Sequence, residues 1–453
     1  MTTTIAGLSG AFASRQADPA EVLEACIQRI QGESAGAPGI VAALTFERAR
    51  ASARASAERW RKGQPLSAVD GVPMVWKDVF DMSGQVTTCG SAVRKDADPS
   101  TDDAALVRQL EAGGAVSVAR TTLSEFAYSG LGINPFAGTP VNPWDPKTPR
   151  IVGGSSSGSA AAVIRGWVPC GMGSDTSGSL RVPAAFTGLV GFKPSHGRYA
   201  AGGMFPLAPS LDTAGPLVRD VRDASLLDAV LTGVQVPTAA LRDWTFVVPA
   251  GRALAANTDE VQAVFERVLG LLRGQGVKVV ERTFGAFEET RDLFDHHGTL
   301  VAVEATQVHR ELLQSEALAL VDPRIAARMK LGAQLSAASA AEITGRRAPL
   351  LARSQADMAA GEVLLYPTVC MTAPEIGPLN EDAAWFAACN ARVLQNTMLA
   401  SYLDMPTLSL PAGQAADGLP VGLSVTMAAG CDSLLLAVAQ QLQETLQDKL
   451  RAD

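Results

Sequence analysis

Two serine-rich loops, Gly153-Gly-Ser-Ser-Ser-Gly158 and Gly173-Ser-Asp-Thr-Ser-Gly-Ser179, lie close together in the middle of the chain. The first leads into an alanine-rich stretch, Ser159-Ala-Ala-Ala-Val-Ile164, whose composition is typical of a helix. Loops of this kind present backbone N–H groups and small hydroxyls, which suit either anion binding or catalysis. One of these serines is therefore a candidate nucleophile, and its activation requires a proton acceptor nearby.

The composition around these loops is that of a folded protein with a large core. Of the 453 residues, 47% are hydrophobic and only 19% are charged, which excludes a disordered chain. No linker, repeat or low-complexity run divides the sequence, which favours one large domain over residues 1–453. Helical and strand-like patterns alternate, so we expect an α/β fold with a mixed central β-sheet covered by helices on both faces.

Local patterns predict the individual elements of this fold. A helix of about four turns begins at Asp18-Pro19, and a strand covers the apolar run that follows Asp70-Gly71. The further predictions are helices over about 46–62, Thr101–Gly113 and 256–274, strands over Ala115–Arg120 and Val277–Glu281, a mostly helical segment over about 285–360, and an amphipathic helix in the last 30 residues.

Charge and cysteine usage exclude several classes of function. The net charge is −8 and no basic cluster occurs, so direct nucleic-acid binding is not expected. No apolar run has the length of a membrane span and the N-terminus lacks the pattern of a signal peptide, which predicts a cytoplasmic protein without a membrane partner. The six cysteines are scattered without a CxxC pair, so neither a metal site nor a disulfide framework is expected.

Two familiar motifs fit the first loop poorly. Gly154-Ser-Ser-Ser-Gly158 matches the G-x-S-x-G pattern of a nucleophile elbow around Ser156, but no hydrophobic strand precedes it. The chain has four histidines to serve as a base, His196, His296, His297 and His309, and the last three fall in a predicted helix. A phosphate-binding loop would require a lysine that neither loop carries. The elbow stays open as a less favoured alternative.

A lysine can replace histidine as the base if it is neutral near pH 7. Lys77 lies in the apolar run Met74-Val-Trp-Lys-Asp-Val-Phe80. Burial disfavours the charged form of an amine and so lowers its pKa. The ordinary alternative is a lysine that extends from a strand edge into solvent.

These residues together resemble the amidase signature family. The resemblance is specific over about residues 70–216 and looser beyond them. The matching motifs are the two serine-rich loops with the residues that follow them, Val72-Pro-Met-Val-Trp-Lys-Asp-Val-Phe-Asp81, Thr87-Thr-Cys-Gly-Ser91, Asn142-Pro-Trp144, Gly188-Leu-Val-Gly-Phe-Lys-Pro194, Ser210-Leu-Asp-Thr-Ala-Gly-Pro216, Tyr366-Pro-Thr368 and Gly418-Leu-Pro-Val-Gly-Leu423.

The resemblance implies a catalytic triad of two serines and a lysine. In this chain the triad would be Ser179 as nucleophile, Ser155 as the bridging serine held by a cis peptide, and Lys77 as base. The oxyanion would then lie among backbone N–H groups of the second loop, those of Thr176, Ser177, Gly178 and Ser179. Ser177 stands where many members of the family have glycine, which leaves the conformation of this loop open.

Other residues near the triad have expected roles of support and substrate contact. Asp175 and Arg181 flank the second loop and are expected to support it by hydrogen bonds. Carried over from the family, Tyr128 and Ser129 border the acyl pocket, with Met172 as a further candidate for lining it; for Tyr128 and Met172 a place in the core is the equal alternative. Ser156 and Ser157 are expected to cap the following helix. The segment over about 285–400 is expected to close the pocket.

The function implied is that of an amidohydrolase without a cofactor. It would cleave the C–N bond of a small carboxylic or ureido amide through a serine acyl-enzyme. Two alternatives remain: the A subunit of a glutamyl-tRNA amidotransferase, which depends on a partner, and an inactive binding protein on the same scaffold. A homodimer is also left open.

Overall fold

The buried apolar runs of the sequence form the central strands of one mixed β-sheet. The computed structural model describes residues 4–33 and 36–450 of the chain. Its strands are β1 (Val41–Leu44), β2 (Pro73–Lys77), β3 (Val116–Thr121), β4 (Cys170–Asp175), β5 (Val190–Lys193), β6 (Thr213–Val218), β7 (Thr245–Ala250), β8 (Lys278–Thr283), β9 (Glu362–Pro367), β10 (Thr407–Gln414) and β11 (Pro420–Thr426).

Helices fill most of the chain between the strands. They are α1 (Ile5–Ala13), α2 (Pro19–Glu33), α3 (Phe46–Arg61), α4 (Ala105–Ala112), α5 (Ser157–Ile164), α6 (Arg181–Thr187), α7 (Val221–Thr232), α8 (Asp259–Gly274), α9 (Gly285–His297), α10 (Leu300–Val308), α11 (Arg310–Leu313), α12 (Pro323–Ala333), α13 (Ala337–Gly345), α14 (Arg347–Ala356), α15 (Ile376–Glu381), α16 (Ala383–Leu394), α17 (Thr397–Tyr402) and α18 (Asp432–Leu450), with short 3₁₀ helices at Ala92–Arg94, Glu125–Ala127, Leu241–Asp243 and Glu316–Leu320.

The order of the strands brings Lys77 and the second serine-rich loop to one edge of the sheet. The eleven strands have the spatial order β1-β3-β2-β4-β6-β5-β10-β11-β9-β7-β8. Strand β2 is parallel to β3 and to β4. Carboxyl ends of parallel strands meet at the same edge. Lys77 at the end of β2 therefore lies at the same edge as the last residues of β4, from which the second serine-rich loop continues.

Helices cover both faces of the sheet, as the sequence predicts. Successive side chains of a strand point to opposite faces, and β2 shows this clearly. Met74 and Trp76 join the larger hydrophobic cluster of the protein. Val75 between them joins a second cluster with residues of α3 and α5. The predicted α/β architecture with a mixed central sheet is confirmed.

Most of the predicted elements are present with small shifts at their ends. The predicted helices at 19 and 46 are α2 and α3, and the predicted amphipathic C-terminal helix is α18. The mostly helical segment contains α9 to α14. Among the residues described, no helix combines the length and apolar character that a membrane crossing requires.

Two local predictions are wrong, for the same physical reason. The helix predicted to begin at Thr101 begins at Ala105, because the Asp103 carboxylate accepts hydrogen bonds from Arg48 and from Ser83 N–H instead of capping the helix. Ser156 occupies the N-cap position of α5 but makes no capping hydrogen bond, and its hydroxyl donates to the carbonyl of Ser174. In both cases a tertiary partner competes with the local one.

Candidate active site

Lys77 ends strand β2 with its amine in the interior of the protein. The side chain is fully buried, and its Nζ donates hydrogen bonds to Ser155 Oγ at 2.6 Å and to Ser174 Oγ at 2.7 Å. Burial lowers the pKa of Lys77 to about 7, although the negative charges of Asp212 and Asp175 oppose this effect. A substantial fraction of the amine is therefore neutral near pH 7 and able to accept a proton.

Ser155 is held by its backbone, which leaves its hydroxyl directed at Lys77. The Gly154–Ser155 peptide bond is cis. The Ser155 carbonyl accepts hydrogen bonds from Ser157 N–H at 2.8 Å and from Ser124 N–H at 3.2 Å. Glycine is required before it, because a Cβ on Gly154 would lie 2.6 Å from the backbone nitrogen of Gly132. Close contact between two backbone segments thus determines this part of the motif.

Ser179 lies at the end of a loop that Asp175 organises. The Asp175 carboxylate accepts hydrogen bonds from Gly178 N–H at 2.7 Å and from Leu180 N–H at 3.1 Å. The Ser179 carbonyl accepts a hydrogen bond from Ser156 N–H at 3.2 Å, which joins the two serine-rich loops. Within residues 4–33 and 36–450, the Ser179 hydroxyl forms no hydrogen bond with the protein, so it is not committed to a structural role.

Arg181 supports the same loop from the other side. It forms a fully buried ion pair with Asp175, with Nη2 and Oδ1 at 2.9 Å. Its guanidinium also donates to the Thr397 carbonyl and to Ser401 Oγ in α17. Each of the three guanidinium nitrogens thus donates at least one hydrogen bond, as a buried charge requires. Asp175 and Arg181 have contacts suited to the supporting role expected for them.

Three of the four backbone donors expected to hold the oxyanion are free in the part of the chain that the structure describes. The N–H groups of Thr176, Ser177 and Ser179 have no protein acceptor there, whereas that of Gly178 is bonded to Asp175. Gly178 has instead a steric role: it adopts φ of 139°, and a Cβ would lie 2.3 Å from Thr397 Oγ1. Ser177 is not among the residues with positive φ, so serine in place of glycine requires no unusual backbone conformation.

The alternative built on Ser156 and a histidine has no geometric support. Ser156 is fully buried, and its hydroxyl donates a hydrogen bond to the Ser174 carbonyl. The ring nitrogen of His196 pairs with the Pro209 carbonyl and that of His296 with the Asp292 carbonyl. His309 packs edge-on against Phe126, and burial lowers its pKa to about 4. No histidine in the described ranges makes a hydrogen bond to a serine of the two loops.

Of the three residues expected to line the substrate pocket, one lines a cavity in the structure. Tyr128 lines a cavity of about 320 Å³. The Ser129 hydroxyl donates to Asn390 Oδ1 at 3.1 Å and so joins its loop to α16. Met172 is fully buried in β4 between β2 and β6, a placement that favours the core alternative left open for it.

Sequence reasoning missed two side chains that affect the Lys77 amine, Ser174 and Asp212. Ser174 is the second hydrogen-bond partner of Lys77, and it immediately precedes Asp175 in β4. The Asp212 carboxylate accepts a hydrogen bond from Thr176 Oγ1 at 2.5 Å and is the largest opposing charge acting on Lys77. Both belong to motifs noted in the sequence, but only the pairing of β4 with β2 and β6 shows which side chains meet.

Comparison with known proteins identifies the family. The family model described as Amidase matches residues 21–436. The chain belongs to the amidase family. This confirms the resemblance, and this amidase is an enzyme that hydrolyses amide C–N bonds.

Relatives and solved structures agree with this assignment. This amidase is 31% identical to the 2-amino-5-chloromuconic acid deaminase of Comamonas testosteroni, over 86% of this chain and 85% of the relative. It is also 31% identical to the glutamyl-tRNA(Gln) amidotransferase A subunit of Chloroflexus aggregans, over 97% and 96% of the two chains. A crystal structure of an amidase superposes with a TM-score of 0.86 at 31% identity, covering 98% of this chain and all of the other.

The position of Ser174 yields a prediction about catalysis. Replacing Ser174 by alanine removes one of the two hydrogen bonds that orient the Lys77 amine. A hydrogen bond of this kind contributes about 1 kcal/mol, so we expect a roughly fivefold lower kcat, measured on an amide that the wild-type protein hydrolyses. Ser174→Thr keeps the hydroxyl and should retain most of the activity.

Ser159→Ala is the matched control for this experiment. Ser159 is equally buried, but its hydroxyl donates to the Met172 carbonyl and has no contact with Lys77. An unchanged kcat in Ser174→Ala, or the same loss in both alanine variants, would contradict the proposed orientation of Lys77.

Proposed function

We propose that this amidase acts by itself through a serine acyl-enzyme, with Ser179 as nucleophile, Ser155 as bridging serine and Lys77 as base. The observation that carries the proposal is the hydrogen bond of 2.6 Å between the fully buried Lys77 amine and the Ser155 hydroxyl. The free hydroxyl of Ser179 at the end of the adjoining loop supplies the attacking group.

The proposed reaction begins with a proton relay. Neutral Lys77 accepts the proton of the Ser155 hydroxyl while Ser155 accepts that of Ser179. The Ser179 oxygen attacks the carbonyl carbon of the amide and forms a tetrahedral intermediate. Return of the proton along the same path to the amide nitrogen releases ammonia or an amine. Water then attacks the ester carbonyl while the same relay accepts a proton from it; the bond to Ser179 Oγ breaks, the relay returns the proton to Oγ, and the carboxylic acid leaves.

The negative charge of the tetrahedral intermediate would be stabilised by the free N–H groups of Thr176, Ser177 and Ser179. Their direction is fixed before substrate binds, because Asp175 and Arg181 hold the loop on both sides. Where such donors have been removed from other enzymes, the loss is roughly 3 to 4 kcal/mol. A fixed loop of this kind lowers the barrier without reorganising during the reaction.

The closing of the site is assigned to the helical segment over about 285–400. A narrow cavity of about 10 Å³ beside Thr176 and Ser177 is bordered by Phe294 of α9, by Thr299 and by Met398 of α17. These residues and the loop thus face the same narrow space. The segment would exclude water from the oxyanion site and so strengthen its hydrogen bonds.

A second candidate function is that of an amidotransferase component that releases ammonia for a partner protein. The alignment over 96% of the Chloroflexus aggregans protein favours it. The two proposals differ in whether the isolated chain hydrolyses small amides. Ammonia release that occurs only in the presence of tRNA and a partner protein would contradict independent action.

The nucleophile can be tested by covalent labelling. A fluorophosphonate probe should label wild-type protein on the tryptic peptide that contains Ser179, and Ser179→Ala should abolish the label. Ser156→Ala should not prevent labelling, because the Ser156 hydroxyl is committed to the Ser174 carbonyl. Labelling at Ser156, or undiminished labelling of Ser179→Ala, would overturn the assignment.

The base can be tested by the pH dependence of the rate. The pKa of Lys77 is lowered to about 7 by burial, so the fraction of neutral amine rises as the pH increases through that value. We therefore expect kcat/KM to rise tenfold per pH unit on the acidic side and to level off above about pH 8. The measurement requires a substrate without a titrating group between pH 5 and pH 9, and a flat profile over that range argues against Lys77.

A further inference from the structure

The cavity that Tyr128 lines is a neighbour of the narrow cavity beside the candidate oxyanion loop. Its volume is about 320 Å³, and its walls come from α9, α12, α16 and α17. Phe294, Thr299 and Met398 border both this cavity and the narrow one beside Thr176 and Ser177. The larger cavity therefore lies close to the loop and offers space for the acyl part of a substrate at Ser179.

Most of the lining is apolar, and two of its three charged residues are already paired. Arg291 donates hydrogen bonds to the carbonyls of Ala253 and Gln395. Asp295 lies 3.1 Å from Arg252 and 3.7 Å from Arg291. Arg291 and Asp295 therefore already have charged or polar partners within the protein. The apolar walls are formed by Phe294, Leu331, Leu335, Leu394 and Met398.

Arg328 is the third charged residue of the cavity, and it differs from the other two. Within residues 4–33 and 36–450 it forms no ion pair, and its buried Nε has no hydrogen-bond partner. Its guanidinium lies over the ring of Tyr128, 4.7 Å from the centroid. The neighbouring Arg324 on the same helix is fully engaged by Asp322, Asn380 and a backbone carbonyl.

Tyr128 adds a second donor beside Arg328. Burial raises the pKa of the Tyr128 hydroxyl, so it stays protonated and able to donate a hydrogen bond. A partly buried guanidinium without a counter-ion is unfavourable, and a carboxylate is the partner that best matches its planar donors. The cavity thus combines apolar walls with one place for a negative charge.

We propose that Arg328 and Tyr128 bind a carboxylate on the substrate, which makes the substrates of this amidase amides with a carboxylate separated from the scissile bond by an apolar chain. This inference rests on the proposed function of Ser179. It names Arg328 as a specificity-determining residue that touches the substrate and takes no part in the proton relay.

The test compares amides that differ only in the distal group. Monoamides of dicarboxylic acids, from succinamate to pimelamate, are paired with alkyl amides in which a methyl group replaces the carboxylate, such as glutaramate with pentanamide. Wild-type protein should prefer the best carboxylate substrate at least tenfold in kcat/KM. Arg328→Met should abolish this preference by raising KM for the carboxylate substrates.

Two further variants separate recognition from general effects. Arg328→Lys keeps a positive charge without the planar donors and should retain part of the preference. Lys330→Met removes a charge from the same helix at a residue that lines a different cleft, and should leave the preference intact. Equal turnover of both substrate series by wild-type protein, or an unchanged preference in Arg328→Met, would overturn the inference.

Binding measurements keep this inference distinct from the proposed function. The dicarboxylates succinate, glutarate, adipate and pimelate are titrated calorimetrically into Ser179→Ala, with and without Arg328→Met. Binding that requires Arg328 supports the anion site even if no amide is hydrolysed, in which case only the proposed function fails. Absence of binding of all four dicarboxylates to Ser179→Ala, together with turnover of alkyl amides by wild-type protein, would reject the anion site and leave the proposed function standing.

Discussion

The account of this enzyme depends on one buried amine. Lys77 is enclosed at the end of a central strand, and the loss of hydration at that position makes the charged form unfavourable. A lysine on the surface would be protonated at neutral pH and could not accept a proton from a serine. The large core is thus a condition for the proposed mechanism, because it keeps Lys77 out of water.

The same strands that bury Lys77 also place its partners. Because β2 and β4 are parallel neighbours, Ser174 and the loop that follows Asp175 lie at the edge of the sheet where Lys77 ends. The first serine-rich loop reaches this edge through backbone contacts with Ser124 and Gly132. The buried pair of Asp175 and Arg181 then holds the second loop, where the proposed nucleophile lies. Its substrate side is formed by helices from a later part of the chain.

Much of this arrangement could be predicted from the sequence, and the exceptions have a common cause. The strand of Lys77, the helices α2 and α3 and the two loops follow from local patterns of apolar residues, glycine and serine. The two wrong local predictions, the start of α4 and the cap at Ser156, concern side chains whose partners are distant in sequence: Asp103 accepts from Arg48 and Ser156 donates to the Ser174 carbonyl. Arg328 and Asn390 belong to the helical segment, where local patterns predict helices but not which faces meet. No local signal reveals that Arg328 lies over Tyr128 and lacks a counter-ion among the described residues.

The central claim is that the Lys77 amine is neutral near pH 7, and its direct titration is the most decisive measurement. Protein labelled with ¹⁵Nζ and ¹³Cε lysine is followed by NMR between pH 5 and pH 11, with Lys77→Met to assign the resonance. The account predicts a pKa of about 7 for this amine. A pKa above about 9, close to that of an exposed lysine, would show that Lys77 is charged at neutral pH and would contradict its role as the base.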